Sequence, residues 1–417
     1  MEYGLIGEKL GHSFSKEIHK KLFGYDYILK EIPKENIDSF LRKKDFKAIN
    51  VTIPYKQTVI PYLDNISDEA KKIGAVNTIV NKNGVLYGSN TDFFGLKSLI
   101  ERTGISLLNK KVLIFGSGGT SKTALFTANS MGAGKVLRVS RTKNSDCITY
   151  GGALKFHADA DVIINTTPCG MYPEIYACAA EIDSFPNLSG VIDAVYNPLR
   201  SKLVCDAMAK KIPASGGLYM LVAQAARAAE LFTGEKVPEE KIEKIYRDIY
   251  LSKQNIVLVG MPGSGKSTVG KILSEKYGLY FVDCDTEIEN SEKKTIPEIF
   301  KEHGEQYFRN AETLIIRKLA CMQGAVISTG GGAVLNKQNI DVLKENGRIY
   351  FLDRPVEDIA VSPSRPLTQN REMLLKIYRE RYSLYCSASD VKISCTTSEN
   401  DEACAVWEEF CNENFNN

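Results

Sequence analysis

Two lysines in this chain stand beside groups that would give an amine chemical work to do. Lys266 closes the stretch Gly260-Met261-Pro262-Gly263-Ser264-Gly265-Lys266-Ser267, which satisfies the G-x-x-x-x-G-K-[ST] pattern of a phosphate-binding loop. Its glycines let backbone N–H groups converge on phosphate oxygens, and the helix that follows adds the partial positive charge of its N-terminus. Lys266 would reach the β and γ phosphates of ATP and the Ser267 hydroxyl would complete a Mg²⁺ shell. Gly263, Ser264, Gly265 and Thr268 would build the rest of the cradle. In "FVDCDTEIE", Asp283 and Asp285 stand two apart at a predicted strand end, so both side chains are expected to face one crevice. Such a pair can divide the labour. One acid holds Mg²⁺ through water, for which Asp283 is the candidate beside Ser267, and the other polarises an acceptor hydroxyl. Arg309, the run Gly330-Gly331-Gly332 and Arg381 add two forked cations and a bare backbone, which suits a small carboxylate.

The other lysine, Lys56, follows a buried strand in "INVTIPYK", with Asn77 in "GAVNT" and Asp92 in "GSNTDFFG" further along. Reducing a ketone requires a hydride on carbon and a proton on oxygen, and an amine near a carboxylate can deliver that proton. Ser13 and Ser15 in "GHSFSK" are hydroxyl donors two apart, suited to a carboxylate without a full ion pair. A second glycine turn, Gly116-Ser117-Gly118-Gly119-Thr120-Ser121, follows a strand and opens a helix, the context of dinucleotide binding. At the end of the next strand the chain offers Ser140, Arg141 and Thr142 where a cofactor lacking a 2′-phosphate meets an acid, which favours NADP(H) over NAD.

These residues must be positioned by more than one domain, because 417 residues exceed a single ordinary core. "KKVLIFGSGGTSKTALFTANSMGAGKVLRVSRT" reads as a strand, turn, helix and strand, followed by apolar runs in "DVIINTTP" and "SGVIDAVYNP"; this predicts a doubly wound parallel sheet. The interval from Thr142 to Asp161 is short, and the expectation is that it lacks a crossover helix. Ahead of this unit, alternating short strands and helices predict a separate α/β layer. "GGLYMLVAQAARAAELFTG" predicts a helix stopped by glycine. Near Ser252 the pattern of strand, loop and helix begins afresh. The expected domains are residues 1–98, completed by helices within 218–250, then 99–217, then 254–417. With 43% hydrophobic and 25% charged residues, a formal net charge of +2 and ten scattered cysteines, the chain gives no sign of a membrane span, a nucleic-acid partner or a structural zinc site. No export signal is legible at the N-terminus, so a cytoplasmic protein is expected.

Residues 254–417 resemble the shikimate kinase family, with P-loop, D-x-D, "GEQYFR", G-G-G and "RPL" in the family's order. The resemblance implies a P-loop α/β domain related to nucleoside monophosphate kinases, in which Asp285, Arg309, Gly331 and Arg381 hold shikimate. Arg365 in the lid "AVSPSRPLT" would swing over the phosphates. Nearly all of 1–250 resembles shikimate dehydrogenase, through "GEKLGHSFSKEIH", "NVTIPYK", "GAVNT", "NTD", "GSGGTS", "SRT", "INTTPCGM", "YNPLRSKL" and "GLYMLVAQAA". That resemblance implies an α/β substrate domain plus a Rossmann-like NADP domain. Ser13, Ser15, Thr52, Asn77, Asp92 and Gln224 would bind substrate, Lys56 would be the acid/base, and Tyr196 and Gly217 would lie by the substrate and nicotinamide. Together the resemblances imply a bifunctional enzyme. It reduces 3-dehydroshikimate to shikimate with NADPH and then phosphorylates shikimate with ATP and Mg²⁺, and a homodimer is compatible with this. Two alternatives are a first half that also takes quinate and a ligand-binding regulatory protein without turnover.

Overall fold

The computed structural model describes residues 1–11, 13–142, 146–361, 370–396 and 398–412. Arg365 lies outside the described residues. The chain divides into two units, Met1–Ile249 and Tyr250–Asn417.

In the first unit, the apolar runs Tyr3–Gly7 (β1), Tyr27–Glu31 (β2) and Ala48–Val51 (β3) pair in parallel, with helices Ser15–Phe23 (α1) and Ile37–Lys43 (α2) as crossovers. After Asn65–Ile66 (β4) and Asp68–Ile73 (α3), the strands Thr78–Lys82 (β5) and Val85–Ser89 (β6) form an antiparallel hairpin. Asn83 and Gly84 make its two-residue turn, both at positive φ (54° and 88°), as the right-handed twist of the flanking strands demands. The sheet order is β2-β1-β3-β5-β6-β4. Helix Thr91–Arg102 (α4), capped by the Asn90 side chain, leads out of this layer.

The second sheet comprises Lys111–Phe115 (β7), Lys135–Ser140 (β8), Cys147–Thr149 (β9), Val162–Asn165 (β10), Gly190–Asp193 (β11) and Ala214–Ser215 (β12). Its order is β12-β11-β10-β7-β8-β9 and every pairing is parallel. The central strands are apolar throughout because helices cover both faces. These helices are Gly119–Ser130 (α5), Tyr150–His157 (α6) and Lys202–Ala209 (α7). Helix α6 corrects the sequence reading, which expected no crossover helix between Thr142 and Asp161. Thr149 caps it by accepting the Gly152 N–H at 3.1 Å, and Ala153 packs into the core of this sheet. The helix was hidden because it holds two glycines, which lower helical propensity, and because Leu154 and Phe156 are exposed, which blurs the apolar period. Leu218–Thr233 (α8) returns to pack along α4 and α1 and ends at Gly234 in the left-handed region. Glu239–Lys253 (α9) buries the face made by Ile242, Ile245, Tyr246 and Ile249.

The other unit is a five-stranded parallel sheet. Its strands are Asn255–Val259 (β13), Tyr280–Asp283 (β14), Ala325–Ser328 (β15), Gly347–Asp353 (β16) and Val391–Ser394 (β17). The order β14-β15-β13-β16-β17 puts β13 in the middle, so the loop leaving it opens at the strands' carboxyl ends where the connections diverge. Helices Lys266–Tyr277 (α10), Cys284–Glu292 (α11), Ile296–Ala320 (α12), Lys337–Asn346 (α13), Arg371–Ala388 (α14) and Glu399–Cys411 (α15) enclose it. Helix α12 begins with a capping box of Thr295 and Glu298 and breaks at Gly304 (φ 79°). Strand β17 went unread in the sequence because its burial alternates weakly at the sheet edge. Among the described residues, no helix is long and apolar enough to cross a membrane.

Candidate active sites

In the first unit, Lys56 and Asp92 reach each other from different elements. Lys56 lies in the loop after β3 and Asp92 in the first turn of α4, and their Nζ and Oδ2 atoms are 2.6 Å apart. Both are mostly enclosed, with side-chain exposures of 14% and 10%, so water screens the pair little. The second carboxylate oxygen of Asp92 accepts from Asn77 Nδ2 at 2.8 Å. Asn77 in turn accepts the Thr91 N–H at 2.7 Å, and Gln224 Oε1 accepts from the Thr91 hydroxyl at 3.3 Å. The start of α4 is thereby locked to β5 and α8, and the Asp92 carboxylate can turn little.

This pair faces a cleft of about 630 Å³. Its lining includes Ser13, Ser15, Thr52, Lys56, Asn77 and Asp92, together with Thr120, Tyr196, Gly217 and Gln224. Ser13 Oγ donates to Ser15 Oγ at 3.0 Å, so the two hydroxyls already converge. Burial raises the Tyr196 phenol above its usual range. The predicted dinucleotide residues Gly116, Ser117, Gly118, Gly119, Ser140, Arg141 and Thr142 are not among those that line the cleft. Gly118 and Gly119 form the start of α5, and Gly119 approaches the Lys56 side chain, so the turn lies beside the lysine's aliphatic stem. Ser140 ends β8 and its hydroxyl donates to the Thr142 carbonyl, while Arg141 and Thr142 are exposed.

Sequence reasoning missed a set of supporting polar residues. Asn50, buried on β3, accepts from Tyr27 Oη at 2.7 Å and donates to the Asn77 carbonyl and Thr78. Asp193, fully buried at the end of β11, accepts from Asn165 Nδ2, the Val195 N–H and the Ser201 hydroxyl. Burial pushes its carboxyl up to about 7. No spacing rule predicts such partners, because each joins segments far apart in the chain.

In the second unit, Gly263 and Gly265 take φ values of 84° and 95°, where glycine alone is unstrained. Lys266 Nζ donates to the Gly260 and Met261 carbonyls at 3.0 and 2.9 Å, and Thr268 lies in the first turn of α10. Ser267 Oγ donates to Asp283 Oδ2 at 2.6 Å and lies 3.3 Å from Ser328 Oγ. The acid pair departs from expectation, since Asp283 ends β14 but Asp285 belongs to α11. The cause is local: Asp283 Oδ1 captures the N–H groups of Asp285 and Thr286 and starts the helix at once. Strand alternation therefore does not aim Asp285.

Asp285 nonetheless meets the acceptor-side residues. Among the described residues its buried Oδ1 has no hydrogen-bond partner, nor has Oε1 of Glu312. Burial first, then the neighbouring Asp283 and Glu312, push the Asp285 carboxyl up to about 6, against the pull of Lys266 and Arg309. Arg309 is gripped on α12 by Glu312 at 2.8 Å and Glu305 at 3.0 Å. A methyl group at Gly332 would sit 2.1 Å from the Arg309 guanidinium, so only a bare backbone lets that cation lie there. A methyl at Gly330 would strike Glu312 and Asp285, and one at Gly331 would strike Pro262. Arg381 is buried on α14; its Nη1 donates to the Gly331 carbonyl at 3.0 Å, and its Nε has no partner among the described residues. Asp285, Arg309 and Arg381 thus each approach the glycine run Gly330–Gly332, whose Gly331 abuts Pro262 of the P-loop, while the cavity at Arg309 and Gly332 is lined by neither Asp285 nor Arg381. Glu312 was missed, although an acid three residues after Arg309 on a helix signals a partner.

Three family models match the chain: "Shikimate dehydrogenase substrate binding domain" at residues 5–79, "Shikimate 5'-dehydrogenase C-terminal domain" at 217–245, and "Shikimate kinase" at 262–412. The chain is 38% identical over 265 residues to a shikimate dehydrogenase (NADP(+)) of Clostridium perfringens, a match covering 59% of this chain and 97% of that protein. It is 49% identical over 142 residues to a shikimate kinase of Clostridium beijerinckii, covering 33% of this chain and 83% of that one. The crystal structure of shikimate dehydrogenase 1 from Peptoclostridium difficile superposes with a TM-score of 0.56 at 36% identity, covering 60% of this chain and 98% of that one. The chain accordingly belongs to two families in succession, shikimate dehydrogenase through Met1–Ile249 and shikimate kinase through Tyr250–Asn417.

Proposed function

We propose that the chain is a bifunctional enzyme of the shikimate pathway that reduces 3-dehydroshikimate to shikimate with NADPH and then transfers a phosphoryl group from ATP to the 3-hydroxyl of shikimate. The observation that carries this reading is the presence in one polypeptide of an enclosed amine–carboxylate pair beside a dinucleotide turn and of a P-loop beside a carboxylate and two arginines.

In the first site, Ser13 and Ser15 take the substrate carboxylate as hydroxyl donors, while Thr52, Asn77 and Gln224 hold ring hydroxyls. Gly116–Thr120 would hold NADPH, with Arg141 and Thr142 toward the 2′-phosphate, and the bound cofactor would supply the hydride. Tyr196 and Gly217 wall the nicotinamide side. Lys56 delivers the proton to the ketone oxygen as negative charge develops there, and Asp92 keeps the amine placed for it.

The second site uses charge and position more than covalent chemistry. Arg309 and Arg381 clamp the shikimate carboxylate, with Gly331 contributing backbone. Asp285 accepts the hydroxyl proton, and its raised pKa makes it a competent base near neutrality. Mg²⁺ fits the donor set, since the Ser267 hydroxyl and Asp283 carboxylate meet at 2.6 Å and both are hard oxygens; bound there it neutralises phosphate charge. Lys266 would reach the same phosphates, and the kinase resemblance adds Arg365, which lies outside the described residues.

The deciding experiment is a coupled assay. Purified protein given 3-dehydroshikimate, NADPH, ATP and Mg²⁺ should form shikimate 3-phosphate. Absence of both NADPH oxidation and shikimate-dependent ATP use would refute the proposal.

A further inference from the structure

Beside the P-loop lies an ion pair whose two side chains carry no assigned chemistry and whose hydrogen bond to the loop is made to its backbone. Arg354 follows β16, and its Nη2 donates to both carboxylate oxygens of Glu402 on α15, at 2.9 and 3.0 Å. Its Nε donates to the Ser264 carbonyl in the loop at 3.2 Å. The side chains are 14% and 0% exposed. Glu399 adds a second acid 3.8 Å from the guanidinium.

Taking a pair of charges out of water costs more than burying apolar groups of the same size. Joining α15 to the sheet does not require it, because Val269 and Leu273 of α10 and Ala403 and Val406 of α15 already share one apolar core with Ile256 and Leu258 of β13. What the pair does beyond packing is fix one carbonyl. A trans peptide is planar, with its C=O and N–H pointing to opposite sides, and the Ser264–Gly265 bond is not among the cis peptides. Holding the Ser264 oxygen against Arg354 therefore sends the Gly265 N–H the other way. Gly265, at φ 95°, has little intrinsic preference to keep that orientation.

On the kinase reading above, we infer that Arg354 is a positioning residue for the phosphate-binding loop: backed by Glu402, it anchors the Ser264 carbonyl outward and so presents the Gly265 N–H to the nucleotide phosphates. The Arg354–Glu402 pair preorganises the cradle without touching the nucleotide, and the cost of ordering this donor is met on folding instead of on binding.

The test uses the full-length chain with Arg354→Lys and with the double substitution Arg354→Met/Glu402→Leu, which avoids leaving one buried charge alone. ADP binding by calorimetry, KM for ATP and for shikimate, and thermal melting are measured, with NADP-dependent shikimate oxidation as the internal measure of intact protein. The double variant should bind ADP about tenfold more weakly and raise KM for ATP by a similar factor, with KM for shikimate unchanged. Arg354→Lys should fall between, since lysine keeps the charge but not the fork that spans Ser264 and Glu402. A lower melting temperature with ADP affinity and KM for ATP at wild-type values would overturn the inference and leave a purely structural pair. If the double variant does not fold, Arg354→Lys decides by the same criterion. A wild-type chain that binds ADP but never consumes ATP with shikimate would defeat the kinase reading instead, and ADP affinity would still judge Arg354.

Discussion

Lys56 can serve as a proton donor because Asp92 holds it at 2.6 Å inside a cleft, where a charged amine would otherwise seek water. Lys56→Ala should lower dehydrogenase kcat/KM by about 10²–10⁴-fold, the range expected for a general acid, while the same preparation keeps its kinase rate. Loss of both activities together would contradict two separate sites. Asp285 makes a different prediction. Its pKa is pushed up to about 6, so kinase kcat/KM should fall as pH drops through about 6, and the limb should vanish in Asp285→Asn, whose residual rate is low at every pH. The same shift bears on stability: a carboxyl raised above its unfolded value favours the fold most below about pH 4, and that contribution is lost as pH rises through about 6. Asp285→Asn should accordingly stabilise its unit at pH 8, by an amount on the order of 1 kcal/mol, seen in thermal or urea melts. Both acids were legible in the sequence as types at a spacing. Their partners differ in that respect, since Glu312 stands one helical turn from Arg309 and could be read, whereas Asn77 reaches Asp92 only once β5 packs beside α4.

Elements place these groups through their ends. The turn from β15 into Gly330–Gly332 is the clearest case, because Gly330 faces Glu312 and Asp285, Gly331 faces Pro262 of the P-loop, and Gly332 faces Arg309. Gly332→Ala should push the Arg309 guanidinium away from its place between Glu305 and Glu312 and raise KM for shikimate about tenfold or more, leaving KM for ATP near wild type; equal changes in both constants would show that the turn serves the whole crevice. In the dehydrogenase unit, Asp193 ties the end of β10, the loop after β11 and the N-terminus of α7. Burial raises it to about 7, so the stability it lends is complete below about pH 4 and declines as pH rises through about 7. The melting temperature of that unit should drop between pH 6 and 8.5, and a flat profile would show that the carboxyl titrates elsewhere. Strands such as β7, β10 and β13 were legible as apolar runs bounded by glycine or proline. Helix α6 and strand β17 were not, since one carries glycines and exposed apolar residues and the other lies at an edge.

At the scale of the whole molecule, the two families occupy separate units, and free diffusion of shikimate between their sites is the expected default. Mixing Lys56→Ala protein with Lys266→Ala protein should then restore conversion of 3-dehydroshikimate to shikimate 3-phosphate, with a lag while shikimate builds toward its KM. Failure of the mixture, with each variant keeping its own remaining activity, would point to transfer within one chain. The residue order by itself determined the α/β class, the two glycine turns, the families and the residue types offered as site candidates, because these depend on local periodicity and on residue types at short spacing. Tertiary structure decided which oxygen of Asp92 meets Asn77, that Asp285 projects from a helix, and that Arg354 and Glu402 converge behind Ser264. Those facts depend on where separate segments pack, and burial sets the protonation of Asp193 and Asp285 only after packing has removed their water.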